Sequence, residues 1–445
     1  MKKLISYLSI EVSGITISIF RILFGIVLSL QSIYWVITGF IQKNIIDPTF
    51  LFPFIKNVTP LSDNFMIYGL NGLLVISPIL MVINKFYKIG LLIYLLSFTY
   101  LWVLCQGYFN NHYYLISLIC FLLLFSKSPF SRIEKVRVPQ FHLYSLIFLI
   151  VAVYIIAGIN KLNPYWLYDV QPMTFILSKA GLKESSFLIP LLSYLGLFFD
   201  LFIGPILLFK KTRNYGIVFS IFFHVLNFII FLLVGGEIGF FPFIMIATLI
   251  LFIEPSWIEE RLLTNNARIL SRQNLNVHLT YLLLIFLSLQ IIIPFRHFFF
   301  KGYVDYNGIG QRFSWRLKNM YKEPVTQPGL INFTVLTSNG DTVSTFHLGN
   351  INKANIILTD RQKTNLIYYP NMIPVFAKKI EDKFQESINN KNFDFIIHGE
   401  CEIGFMGRKS ELLFSPKIDL TKISSLSHKT NSWLNPLKQK PWDFK

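Results

Sequence analysis

Nine stretches of this chain are nearly unbroken runs of apolar residues, at about 15–40, 65–84, 89–109, 112–126, 141–160, 187–209, 215–234, 238–254 and 277–294. A helix needs roughly 20 such residues to cross the hydrocarbon of a bilayer. The fourth and eighth runs are short, which predicts steep packing or a partly re-entrant path. Of 445 residues, 53% are hydrophobic and 45 are Phe, too apolar for a water-soluble fold of this size.

The character changes near residue 295. Beyond it the chain is polar, with alternating stretches such as Ile331–Leu336. The expected fold is a polytopic α-helical membrane protein of about nine transmembrane helices. It spans residues 1–294 and is followed at 295–445 by a strand-rich mixed α/β extramembrane domain of ordinary size. Strands are expected near 331–337, 342–348 and 393–403. Helices are expected after Thr359-Asp360, an N-cap signal, and across about 372–388. No internal repeat, low-complexity linker or cleavable signal stands out.

Basic residues suggest an orientation. With a cytoplasmic N-terminus, cytoplasmic segments carry 14 Lys and Arg, and the short loops opposite carry 5: Lys43, Lys56, Lys161, Lys179 and Lys183. That is a positive-inside bias. It places the tail outside the cytoplasm and accounts for part of the net charge of +17. No nucleic-acid motif accompanies the charge. Cys105, Cys120 and Cys401 have no zinc or disulfide spacing. No phosphate loop, His-x-x-x-His pair or nucleophile elbow is present, so no metal is implied.

Ionisable and amide groups inside spans are costly and mark candidate sites. Arg21 and Asp200 lie in the first and sixth runs, and the simplest expectation is that they pair and position helices. His224 and Asn227, in the seventh run, share a helix face. They serve either interhelical hydrogen bonding or a site. Glu237 follows them. Asn110-Asn111-His112-Tyr113-Tyr114 reads either as a helix cap with an aromatic belt or as hydrogen-bonding groups that orient a polar ligand. Lys161 ends the run Val151–Lys161 just before Leu162-Asn163-Pro164-Tyr165-Trp166. It is either an interfacial anchor or a lysine made neutral by burial, and so a base. Gly158 admits a close neighbour, Asn160 and Asn163 offer polar partners, and Pro164 stops the helix.

These residues carry a resemblance. Tyr154–Trp166 resembles the Ala-Gly-x-x-Lys-Leu-x-x-x-Trp segment of vitamin K-dependent gamma-carboxylases. Asn110–Leu115 resembles their Asn-Asn-His-x-Tyr-Leu segment, and His224 with Asn227 their Phe-His-x-x-Asn stretch. Leu289–His297 is similar to the Gln-x-x-x-Pro-x-x-His end of the last span. Gly310–Arg316 is similar to the Arg-Phe-Ser-Trp-Arg element of bacterial members. Met406-Gly407-Arg408, Ser415–Leu420 and Trp433–Pro436 match later elements. The order and spacing, from the first span to residue 436, identify the chain as similar to bacterial members with a horizontally transferred transmembrane domain.

The resemblance implies a mechanism. A lysine, here Lys161, deprotonates vitamin K hydroquinone or menaquinol. Dioxygen then yields a strongly basic alkoxide, which removes the γ-proton of a protein glutamate. Carbon dioxide captures the carbanion, and the quinone leaves as its 2,3-epoxide. Asn111 and His112 would hold the quinol oxygen, with His224 and Asn227 beside it. The partners implied are the lipid bilayer, an isoprenoid quinol and a glutamate-containing secreted protein, with no nucleic acid.

Departures affect the substrate side. Asn160 stands where animal members have a second lysine. Met406 replaces an Asn and Ser415 an Asp, and the long animal C-terminal extension is missing. Oxygenation without carboxylation therefore stays open, as does a membrane scaffold whose tail binds a partner. The richness in Lys, Asn, Ile and Phe suggests an AT-rich bacterial genome; in a bacterium the expected membrane is the inner one, the quinol menaquinol and the tail periplasmic.

Overall fold

The computed structural model describes residues 2–438, except 56, 57, 62, 236, 237, 265, 327–329 and 424–432. Glu237 and Lys56 lie outside the described residues.

Each apolar run is helical. The helices are α1 (Ile15–Thr38), α2 (Asn64–Val82), α3 (Tyr87–Leu104), α4 (Asn111–Phe125), α5 (Gln140–Lys161), α6 (Leu188–Leu208), α7 (Arg213–Leu233), α8 (Phe241–Phe252), α9 (Pro255–Leu262) and α10 (Val277–Ile292). Among the described residues 7 helices are long and apolar enough to cross a membrane, up to 8 with α8 and α9 as one broken span. The short α4 adds one more apolar helix. The eighth run forms α8, and the chain bends by 92° between α8 and α9. Pro255 begins α9, and a residue before proline avoids helical backbone; Glu254 has φ −56° and ψ 120°, outside the helical region.

One end of the bundle is closed by a small sheet of β1 (Glu11–Ser13), β2 (Glu134–Pro139) and β3 (Arg268–Arg272). β1 pairs antiparallel with β2, and β2 pairs parallel with β3. Three distant segments thus meet on one face of the bundle. Glu259 on α9 receives both Arg137 Nη atoms at 3.0 and 3.1 Å and Lys135 Nζ at 2.8 Å. This pins the bent half of the broken run to the sheet.

The tail packs at the opposite end. It forms two three-stranded antiparallel sheets. One is ordered β4-β8-β9 (Lys322–Pro324, Glu402–Phe405, Glu411–Leu412) and the other β6-β5-β7 (Thr342–His347, Asn332–Thr337, Phe395–Glu400). The stretch expected as one strand at 393–403 is two strands split at Cys401. Helix α11 (Asp360–Tyr368) starts with a capping box between Thr359 and Gln362. Helix α12 (Ile373–Ser387) buries Phe376 against Phe333, ring centroids 5.6 Å apart.

The two apolar cores exchange residues. Trp315, beyond the last span, belongs to the bundle core and stacks on Tyr114 at 5.6 Å. Phe52 and Tyr165, from inter-helix loops, belong to the tail core, where Tyr165 meets Phe405 at 5.3 Å.

Candidate functional site: a buried lysine–aspartate pair beside an aromatic cavity

Helix α5 ends at Lys161 because the chain turns there. Asn163 accepts the Trp166 N–H and caps the next turn, which starts at Pro164. Gly158 fixes what lies alongside. A Cβ there would come within 2.8 Å of both the Leu201 side chain and its backbone nitrogen. Gly204 similarly meets Val151. These contacts set α5 antiparallel to α6 and bring Lys161 level with Asp200. Asp200 lies ~18 Å into α6 from its first residue, at 1.5 Å per residue.

Lys161 Nζ donates to Asp200 Oδ2 at 2.5 Å, and both side chains are buried. The ammonium position lies 4.9 Å from the centre of the Trp166 ring. The adjacent Asn160 donates to the Ser314 carbonyl at 2.7 Å, which ties the helix end to the Arg312–Arg316 loop. Lys161 therefore does not reach out to an interface.

The expected Arg21–Asp200 pair is not formed. Arg21 donates to the Ser128 carbonyl at 3.0 Å, to Asn84 Oδ1 at 2.9 Å and to the Met81 carbonyl, with its guanidinium 4.7 Å from the Tyr87 ring. The reason is packing. α1 lies against α2, whose last carbonyls are a natural cation site, while α6 lies against α5.

His224 is buried, and its Nε2 lies 2.7 Å from the Tyr154 hydroxyl. Tyr154 is two turns before Lys161 on α5. Phe199, next to Asp200, packs edge-on to both Tyr154 and His224. The Phe241 ring lies 6.3 Å from His224 and 5.4 Å from His112, so it sits between the two imidazoles. Asn227 is half-buried one turn beyond His224.

Asn110 occupies the N-cap position of α4 but makes no side-chain cap bond, so capping does not account for the Asn-Asn-His run. Asn111 Oδ1 is buried with no hydrogen-bond partner. His112 lines a cavity of about 730 Å³ with Gln31, Trp35, Tyr113, Phe228 and Phe240. Lys161 is not among its lining residues. Gln31 is buried, and its Nε2 also lacks a partner.

The structure thus sets His112 and His224 on either side of Phe241, joins Tyr154 to His224, and pairs Lys161 with Asp200 two turns further along the helix that carries Tyr154. Sequence reasoning missed Tyr154 and Gln31. Gln31 is a lone amide in an apolar span, the same signal that marked Asn227. Tyr154 shows only in its spacing, seven residues before Lys161.

The family model of the HTTM domain matches residues 11–257, more than half of the chain. That of the vitamin K-dependent gamma-carboxylase lumenal domain matches residues 275–440. No solved structure matches. With both models matched in order along one chain, this polytopic membrane protein belongs to the vitamin K-dependent gamma-carboxylase family.

Proposed function

We propose that the protein is a membrane enzyme that oxygenates reduced vitamin K or menaquinol to the 2,3-epoxide and couples this to carboxylation of protein glutamate. The carrying observation is the buried Lys161–Asp200 pair, together with an aromatic cavity lined by His112 and by Gln31, whose buried Nε2 has no partner.

The fit to a quinol rests on donors and walls. Asn111 Oδ1 would accept a quinol O–H, and Gln31 Nε2 would donate to an oxygen. The His112 imidazole would orient the head group, and Trp35, Phe228 and Phe240 would flank it. His224, with Asn227 one turn on, would close the side toward Lys161. The reduced quinone, with dioxygen, supplies the strong base that removes the glutamate γ-proton, and carbon dioxide supplies the new carboxylate.

Lys161 starts the chemistry in this reading. Two opposite charges out of water are expensive, and in the reacting complex one proton passing from Nζ to Asp200 Oδ2 would leave both groups of the ion pair neutral. Lys161 is then an amine able to take a quinol hydroxyl proton, and Asp200 keeps the pocket's charge balanced. The buried surroundings keep water from the base. The basic-residue bias supports an inner-membrane protein with a cytoplasmic N-terminus, the sheet of β1–β3 cytoplasmic and the tail, from about residue 295, periplasmic.

The test is an epoxide assay on purified protein with reduced quinone, alongside mass spectrometry of a co-expressed Glu-rich secreted peptide. Epoxide in wild type and none in Lys161→Ala supports the base. Epoxide that persists in Lys161→Ala rules it out. Epoxide without carboxylated peptide leaves quinol oxygenation alone, the reading favoured by Met406 and Ser415. Neither product supports the scaffold.

A further inference from the structure

A second cavity, of about 850 Å³, lies at the seam between bundle and tail. Its charged lining is Arg296, Arg312, Lys378, Lys379 and Asp382. Asp382 already accepts Lys379 at 3.3 Å. Arg312 is only 7% exposed. Its Nη atoms donate to the Gln106 side chain and carbonyl and to Met372 sulfur, and its buried Nε has no partner. Arg296 donates to the Ile293 and Arg312 carbonyls. Among the described residues neither arginine has a carboxylate within 4.0 Å.

Charges taken out of water are normally paired. Here two guanidiniums flank one cavity whose carboxylate, Asp382, is engaged by Lys379, leaving four cations to one anion on its walls. Burial also pushes the Arg312 guanidinium down to about 10, with Tyr369 partly offsetting it. The missing partner is an anion.

Its source follows from where Arg296 sits. Arg296 is on the 3-10 turn Ile293–Phe299 that ends the last span. Phe298 and Phe299 on the same turn are 75% and 87% exposed. Apolar rings this exposed at a span's end leave water by entering the lipid beside them, which puts this turn at the edge of the bilayer. The other walls, Phe52, Phe54 and Phe313, are also apolar. We propose that this cavity binds the phosphodiester headgroup of an anionic phospholipid, with Arg296 and Arg312 as the recognising pair. The proposal does not depend on the quinol chemistry.

Native mass spectrometry of the detergent-purified full chain, titrated with phosphatidylglycerol or phosphatidylcholine, tests it. Wild type should prefer phosphatidylglycerol. Arg296→Gln should bind it about tenfold more weakly, the scale of a lost charge-assisted hydrogen bond, with phosphatidylcholine binding unchanged. Arg312→Lys should bind better than Arg312→Gln. If Arg312→Gln fails to fold, Arg296→Gln decides. Millimolar inorganic phosphate should not displace the lipid. Undiminished phosphatidylglycerol binding in Arg296→Gln would overturn the proposal. So would displacement of the lipid by free phosphate, or by a Glu-rich peptide whose own binding is lost in Arg296→Gln.

Discussion

Lys161 and Asp200 balance each other, and the balance makes an uneven set of variants. Asp200→Ala leaves a buried cation alone and should cost about 3–5 kcal/mol of stability. Lys161→Ala leaves a buried carboxylate and should cost a similar amount. The double variant removes both charges and should melt closer to wild type than either single one, while remaining inactive. A thermal melt of all four proteins in detergent checks this; additive losses would show that the two groups do not act as a pair. Gln31 belongs to the same scale. Gln31→Leu should raise the KM for quinol by about tenfold, the scale of one lost hydrogen bond, with kcat little changed. A fall in kcat at constant KM would remove Gln31 from quinol binding. Of these residues, Lys161 and Asp200 were both legible as costly groups in apolar runs. Their partnership was not. Which charges meet depends on which helices touch, and Arg21 found the Met81 carbonyl of α2, the Ser128 carbonyl and Asn84 instead.

The helix pair α5–α6 carries the site, and two glycines carry the pair. Gly158→Leu must push against the Leu201 backbone, not only against its flexible side chain. The expected loss is about 1–3 kcal/mol, with Lys161 displaced from Asp200 and activity falling more than stability. Activity that falls only in proportion to folded protein would argue against that coupling. In the tail, Lys322 is buried and donates to the Ile367 and Tyr368 carbonyls at the end of α11, at 3.1 and 3.0 Å. Burial pushes its amine from 10.5 down to about 7. Between those values the unfolded chain holds a proton that the folded tail lacks. Stability contributed at this residue therefore rises as pH increases from about 7 to 10.5, by at most about 5 kcal/mol. Lys322→Met should flatten that rise, as read by melting temperature against pH. Equal slopes in the two proteins would sink the assignment. Helix positions were legible because apolar runs and the Thr359–Gln362 capping box are local signals. The 92° bend was legible only as a short eighth run, since its direction depends on Glu259 reaching Lys135 and Arg137 across more than a hundred residues.

At the scale of the whole molecule, bundle and tail are built as one body. Trp315 fills the bundle core, and Phe52 and Tyr165 fill the tail core. Polar ties cross the same seam. Asn365 donates to the Gly107 carbonyl at 2.8 Å, Gln362 to the Phe50 carbonyl at 2.9 Å, and Arg408 pairs with Asp169 at 2.6 Å. The composition shift near residue 295 was legible, but not that side chains from each part complete the other's core. Such contacts join residues hundreds of positions apart and leave no local pattern. One consequence concerns the lysine. Asn160, its immediate neighbour, bonds to Ser314 in the tail-side loop, one residue before Trp315. Loosening Trp315 should therefore disturb the end of α5 as well as the tail. Trp315→Ala removes a fully buried indole and should cost about 3–5 kcal/mol. Hydrogen exchange followed by mass spectrometry reads where that loss is felt. Because the cores interlock, peptides from residues 154–166 and from the tail should lose protection together. Loss confined to the tail, with 154–166 protected as in wild type, would mean that the tail can open without touching the lysine. The seam would then be a docking surface and not a shared core.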